Sequence, residues 1–128
     1  MNSIGRAISR EVVTCGKECN IYNASLKMAQ NNIGAIIIVE DNEPIGIFTE
    51  RDLLNRVVAK DIDIHKTPIA QVMTKEIKLA KESELCSNIY NLMKQHNIRH
   101  IPVIEDKKLV GIISLKDIIE LMNEIIMS

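Results

Sequence analysis

Apolar positions along the chain follow two patterns, and each pattern occurs twice. Runs rich in β-branched residues, AIIIVED at 35–41 and HIPVIED at 100–106, lead through polar residues into second apolar runs, PIGIF at 44–48 and LVGII at 109–113. Short runs of this kind around a turn predict a β-hairpin in each half, with the turns at Asn42-Glu43 and Lys107-Lys108. Upstream of each hairpin, NIYNASLKMAQNN and SELCSNIYNLMKQHN carry apolar residues at helical spacing, such as Ile21, Ala24 and Met28, or Ile89, Leu92 and Met93. Downstream, Leu53, Leu54, Val57 and Val58, and then Ile118, Ile119, Leu121, Met122 and Ile125, predict a second helix per copy. Short strands around Val12-Val13 and Ile77–Leu79 open each unit. The predicted order is strand, helix, strand, strand, helix, twice over.

The doubling is a true internal repeat, which decides architecture before any local reading does. A shift of 65 positions carries Gly46 onto Gly111 and, without a gap, Ile4, Asn32, Ile33, Ile36, Asp41 and Asp52 onto Ile69, Asn97, Ile98, Ile101, Asp106 and Asp117. Thr67-Pro68 interrupts any helix between the copies, so the boundary falls near residue 66 and divides the chain into 1–66 and 67–128. Units of about 60 residues bury little surface alone, so the two are expected to pack together. Ile37 stands where the second copy has Pro102, which leaves the strand geometry of the first copy open.

Composition narrows the class. An apolar fraction of 46% with 26% charged residues is that of a globular protein, and no run approaches the roughly 20 apolar residues of a membrane helix. The opening MNSIGRAISR lacks a signal peptide's apolar core, so a cytoplasmic location is expected. Sixteen Lys and Arg against seventeen Asp and Glu give no field to gather nucleic acid. Three cysteines, Cys15, Cys19 and Cys86, cannot all pair within one chain and fit a reducing compartment. Five scattered glycines supply no phosphate loop, Cys15 and Cys19 lack the spacing of a zinc knuckle, and His96 and His100 need not share a face. No nucleophile stands beside a base and an acid, so an enzyme is the least supported class.

The candidate chemistry lies in Thr49-x-x-Asp52 and Ser114-x-x-Asp117, each ahead of an apolar helix. One reading is a capping box, in which the hydroxyl accepts a helix amide and the acid reaches back. The other is a ligand site: an ionised carboxylate accepts two hydrogen bonds and suits a vicinal diol, while amides at a helix start favour a phosphate. The two roles are compatible.

The residues VMT at 72–74, NIRHIPVIED at 97–106, LVGIISLKD at 109–117 and their partners NIGAIIIVED and PIGIFTERD resemble the CBS domain, the module named for cystathionine beta-synthase. The resemblance covers practically the whole chain and is that of a stand-alone CBS pair. It implies an α/β fold of two tandem CBS domains packed as a pseudo-twofold pair, with two clefts between the copies that bind adenosine-containing ligands such as AMP, ADP, ATP or S-adenosylmethionine. The aspartate then takes the ribose hydroxyls and the Ser or Thr three residues earlier helps hold phosphate. One cleft would gather Thr49, Asp52, Thr74, Ile98, Arg99 and His100, and the other Ser9, Ile33, Gly34, Ala35, Ser114, Lys116 and Asp117. Only the first gains a fixed cation, Arg99, so unequal affinities are expected. Arg99 also reads as a solvated charge, His100 as a satisfied strand residue, and Ser9 and Thr74 as turn residues.

The apolar stripe of DIIELMNEIIMS exceeds what one packed face requires, and LLNRVV repeats it in weaker form. Pairs of this family commonly meet through these helices, so a homodimer is expected. The sequence reading is therefore a non-enzymatic regulatory sensor that binds an adenosyl ligand and signals to a separate protein. Its rival is a ligand-free dimerisation module whose aspartates serve only as caps.

Overall fold

The computed structural model describes residues 2–127. Its elements in chain order are β1 (Thr14–Cys15), α1 (Ile21–Asn31), β2 (Ala35–Glu40), β3 (Glu43–Thr49), a short α2 (Glu50–Asp52) continuing as a π-helix over Leu53–Val58, then α3 (Cys86–His96), β4 (His100–Glu105), β5 (Lys108–Ser114) and α4 (Leu115–Met127). Single 3₁₀ turns at Ile4–Ala7 and Ile69–Gln71 begin each repeat. Among the described residues no helix is long and apolar enough to cross a membrane.

The hairpins form as expected, with turns one residue earlier than predicted. Asp41 and Asn42 take φ of 52° and 62°, and Asp106 and Lys107 take 48° and 69°. Two successive positive φ values are what a two-residue turn between twisted strands requires, and Asp and Asn tolerate them. Glu43 and Lys108 are thereby freed to pair with Glu40 and Glu105 as the first rungs of the ladders. Both hairpins run antiparallel with the same register, and each carries an irregularity at the matched place, between Ile38 and Val39 and between Val103 and Ile104. Helices α1 and α3 both stop at an asparagine in the left-handed conformation, Asn32 at φ 51° and Asn97 at φ 53°.

Replacing Ile37 by Pro102 leaves the hairpin unchanged and alters the strand beside it. The opening strands lie slightly downstream of their predicted places: β1 pairs in parallel with β2, whereas the second copy makes only a single bridge from Ala80 to Val103. The missing amide accounts for the difference. Ile37 donates its N–H to the Val13 carbonyl at 3.4 Å. Pro102 has no N–H to give, so only the bonds from Ala80 to the Pro102 carbonyl and from Ile104 to Ala80 remain.

Residues cluster into two compact units, and these do not coincide with the repeats. One unit is Val13–Ile77; the other combines the chain up to Val12 with the chain from Lys78 onward. Each repeat thus contributes its opening segment to the unit built on the other repeat's hairpin. In the first unit, Ile69, Val72 and Met73 join Ile21, Ala24, Met28, Ile36, Ile38, Phe48 and Val57 in one core. In the second, Ile4 joins Ile89, Met93, Ile101, Val103, Ile113, Ile118 and Leu121. The sequence boundary near residue 66 separates the copies as written, while the packing divides at 12/13 and 77/78.

Two glycines admit the exchanged segments. Thr74 exchanges both backbone hydrogen bonds with Ile47 of β3, at 2.8 and 3.0 Å, and Ser9 does the same with Ile112 of β5, at 2.9 Å each. Gly46 and Gly111 lie next to these contacts. A Cβ on Gly46 would run into the Met73 side chain, and one on Gly111 would meet Ile8 and stand 3.0 Å from the Ser9 carbonyl oxygen.

Candidate functional site

Both Ser/Thr-x-x-Asp segments form complete capping boxes. Thr49 ends β3 in extended conformation; its Oγ1 accepts the Asp52 N–H at 3.2 Å, and its own N–H donates to Asp52 Oδ2 at 3.0 Å. In the second unit the Asp117 N–H donates to Ser114 Oγ at 3.1 Å and the Ser114 N–H to Asp117 Oδ2 at 3.3 Å. Each cap satisfies two amides that the first helical turn leaves without partners and is worth about 1 kcal/mol. The cap occupies one carboxylate oxygen, and an ionised carboxylate offers about four lone-pair sites.

Beyond the cap the two carboxylates differ. Asp52 is buried, 9% exposed, and receives the Thr74 hydroxyl at 3.3 Å on both Oδ1 and Oδ2. Its Oδ1 also lies 3.6 Å from Arg56 Nε, an ion pair beyond hydrogen-bond reach. Arg56 in turn donates through Nη1 to the carbonyls of Met73 at 3.1 Å and Val72 at 3.4 Å. Asp117 is half-buried and borders a cavity of about 190 Å³ lined by Arg6, Ala7, Asp117, Glu120, Leu121 and Glu124. Arg6 pairs with Glu124 at its rim, at 3.1 Å.

The remaining predicted residues divide between the units. Thr49, Asp52, Thr74, Ile33, Gly34 and Ala35 belong to Val13–Ile77, where Ala35 pairs with Thr49 across the hairpin and the Gly34 carbonyl accepts the Glu50 N–H at 3.1 Å. Ser9, Ile98, Arg99, His100, Ser114, Lys116 and Asp117 belong to the other, where His100 pairs with Ser114 and the Arg99 carbonyl accepts the Leu115 N–H at 2.8 Å. Arg99 and Lys116 are exposed. Among the described residues no group of three or more His, Cys, Asp or Glu is placed to hold a metal ion.

Sequence reasoning missed Arg56. Within LLNRVV it reads as the solvated position of an amphipathic helix, and only the comparison with Leu121, its match in the second copy, sets it apart.

Comparison with known proteins places this arrangement. The family profile of the CBS domain matches residues 4–59 and again 69–124. A mitochondrial CBS domain-containing protein of Arabidopsis thaliana, CBSX3, is 33% identical over 125 residues, 93% of this chain and 60% of that protein, so the chain spans about three fifths of its length. The CBS domain-containing protein YhcV of Bacillus subtilis is 33% identical over 118 residues, 92% of this chain and 84% of the relative. Among solved structures, the CBS domain pair of protein MJ0100, crystallised with 5′-methylthioadenosine and S-adenosyl-L-methionine, superimposes with a TM-score of 0.86 at 26% identity, covering 94% of this chain and 99% of the other. Two profile matches in tandem, one on each copy of the repeat, establish that the chain belongs to the CBS domain family as a pair of CBS domains.

Proposed function

We propose that this CBS pair is a regulatory module that binds an adenosine-containing small molecule through the ribose. The observation that carries this reading is the Asp52 carboxylate, held by its own helix start and already accepting a hydroxyl donor on both oxygens. A cis-diol presents two such donors to the same acceptor. The ligands of MJ0100, both built on adenosine, support the class. AMP, ADP, ATP and S-adenosylmethionine are the candidates within it. Thr49 and Ser114 face the phosphate or its replacement, Arg99 supplies the cation for a phosphate-bearing ligand with His100 beside it, and Lys116 serves the Asp117 ligand. Ser9 and Thr74, Ile33, Gly34 and Ala35, and Ile98 contribute the remaining contacts.

Occupancy is passed to a separate protein, and a ligand does this only if it binds one geometry of the module better than another. The exposed apolar side chains of the second helices, Leu54 and Val58 in one unit and Ile119, Ile126 and Met127 in the other, support assembly as a homodimer.

A second reading has its own observation: both capping boxes are complete without any ligand. It makes the chain a dimerisation module with no small-molecule role. Calorimetric titration with AMP, ADP, ATP, S-adenosylmethionine and NAD separates the two. The sensor reading expects heat with at least one adenosyl ligand, lost in Asp52→Ala and Asp117→Ala. Variants that lose thermal stability while no ligand gives heat or a melting shift would leave only the cap. Arg99→Ala is expected to weaken a phosphate-bearing ligand more than adenosine, and equal losses would remove Arg99 from the phosphate.

A further inference from the structure

We infer that Arg56 is a positioning residue, one that fixes the Asp52 carboxylate and the Thr74 hydroxyl together and gives the Val13–Ile77 unit the sharper selection for a ribose diol. The inference rests on the functional reading above and assigns the selectivity within it.

The geometry is a closed ring of contacts. Arg56 reaches the carbonyls of Val72 and Met73, the next residue Thr74 is locked to Ile47 by two backbone bonds, the Thr74 hydroxyl donates to Asp52, and Asp52 lies back against Arg56. Coulomb attraction alone does not explain the arrangement, because the Arg56 side chain is half exposed and its approach to Asp52 is long, so solvent screens most of the charge. What the guanidinium supplies is orientation. Its Nη1 bonds two carbonyls while Nε, on the same rigid plane, lies against the carboxylate, which a lysine ammonium, a point charge on a flexible stem, does not reproduce. A carboxylate held from two sides has less freedom to lose when a diol arrives, so more of the interaction appears as affinity.

The backbone is shaped for this contact. The Ala59 N–H reaches the Leu54 carbonyl five residues back, at 2.9 Å, in the π-helical stretch that carries Arg56. Such wide turns are uncommon and occur often at functional positions.

The other unit shows the same frame without the clamp. Position 56 is matched by Leu121, buried at 6% exposure, and the residues that would surround an arginine there, Ala7, Asp117 and Glu124 among them, line the cavity of about 190 Å³. Asp117 keeps its cap and is more exposed than Asp52. Leucine is therefore compatible with the fold at this place, which makes Arg56→Leu a fair substitution.

The test compares adenosine with 2′-deoxyadenosine by calorimetry on the full chain, in an Asp117→Ala background so that only Asp52 reports. Arg56→Leu is expected to weaken adenosine about tenfold, the order expected when the hydrogen bonds from a charged group to the Val72 and Met73 carbonyls are lost, and to bring the two nucleosides to nearly equal affinity. Arg56→Lys should restore melting temperature more fully than it restores the adenosine preference. An adenosine preference left intact in Arg56→Leu, or regained in full by Arg56→Lys, would overturn the assignment; the first outcome makes Arg56 structural and the second makes it a simple charge. Asp52→Ala separates this from failure of the functional reading. If Asp52→Ala binds adenosine as the parent does, the ribose assignment falls and Arg56 with it; if Asp52→Ala loses binding while Arg56→Leu does not, only the role of Arg56 falls.

Discussion

The two units share their backbone devices and differ in the side chains around one carboxylate. Paired at the shift of 65 are the αL asparagines Asn32 and Asn97, the turn aspartates Asp41 and Asp106, the glycines Gly46 and Gly111, and the capping acids Asp52 and Asp117. The asparagines and turn aspartates hold left-handed backbone, the glycines admit a close approach, and the acids cap a helix. Around the acids the copies part: Thr74 faces Ser9 in the alignment, Arg56 faces Leu121, and Ile37 faces Pro102. The lesson is that a duplicated fold holds its turns and close approaches fixed while the surroundings of its two capping acids become unlike, so differences between the halves are to be sought in the unmatched positions.

The largest expected asymmetry is in the acids themselves. Asp52→Ala removes a cap, abandons the Thr74 hydroxyl and leaves Arg56 beside an empty place, for a loss of about 3 kcal/mol, against about 1 kcal/mol for Asp117→Ala, which removes a cap alone. Urea denaturation of the two variants reads the difference, and equal losses would erase the claim that the first carboxylate is the more embedded.

The glycines come next. Gly111→Ala forces a methyl against a β-branched side chain and a backbone carbonyl and is expected to cost about 2–3 kcal/mol, whereas Gly46→Ala meets a methionine that can turn aside and should cost about 1 kcal/mol. A reversed order would mean that the exchanged segment yields more easily at Ser9 than at Thr74.

The last difference appears only at high pH. Burial, with the neighbouring Cys19, pushes the Cys15 thiol from 9.0 up to about 12, and the matched residue is Ala80, which has nothing to titrate. The folded protein holds this thiol neutral while the unfolded chain releases its proton above 9.0, so the contribution is whole below pH 9 and is lost as pH climbs toward about 12. Cys15→Ala should flatten that decline in a pH series of melting temperatures. A decline equally steep in the variant would place its origin elsewhere.

Much of the fold was legible because it is written in period and repetition. Short β-branched runs gave both hairpins, helical spacing gave α1 and α3, and the self-alignment gave the two copies. The turns were misplaced by one residue because the end of an apolar run cannot tell Asp41-Asn42 from Asn42-Glu43; only the demand for two positive φ values does. The opening strands were misplaced because their bonds depend on a partner far along the chain and, in one copy, on an amide that proline lacks. At the candidate site the Ser/Thr-x-x-Asp signature was visible from local spacing. Thr74 was grouped with Asp52 through the resemblance alone, its bond to the carboxylate was not foreseen, and Arg56 carried no local signal, since its contacts are to backbone carbonyls that any sequence would offer.

The exchange of opening segments also sets a timetable for synthesis. The unit Val13–Ile77 is contiguous, so every residue of its core and the full set of partners around Asp52 have emerged once Ile77 has. The other unit is stitched from two distant stretches, and Ile4 must wait for Ile101, Ile113 and Ile118 before it can be buried. A growing chain therefore acquires its better-held carboxylate first, and the slow, long-range closure falls to the half with the looser one.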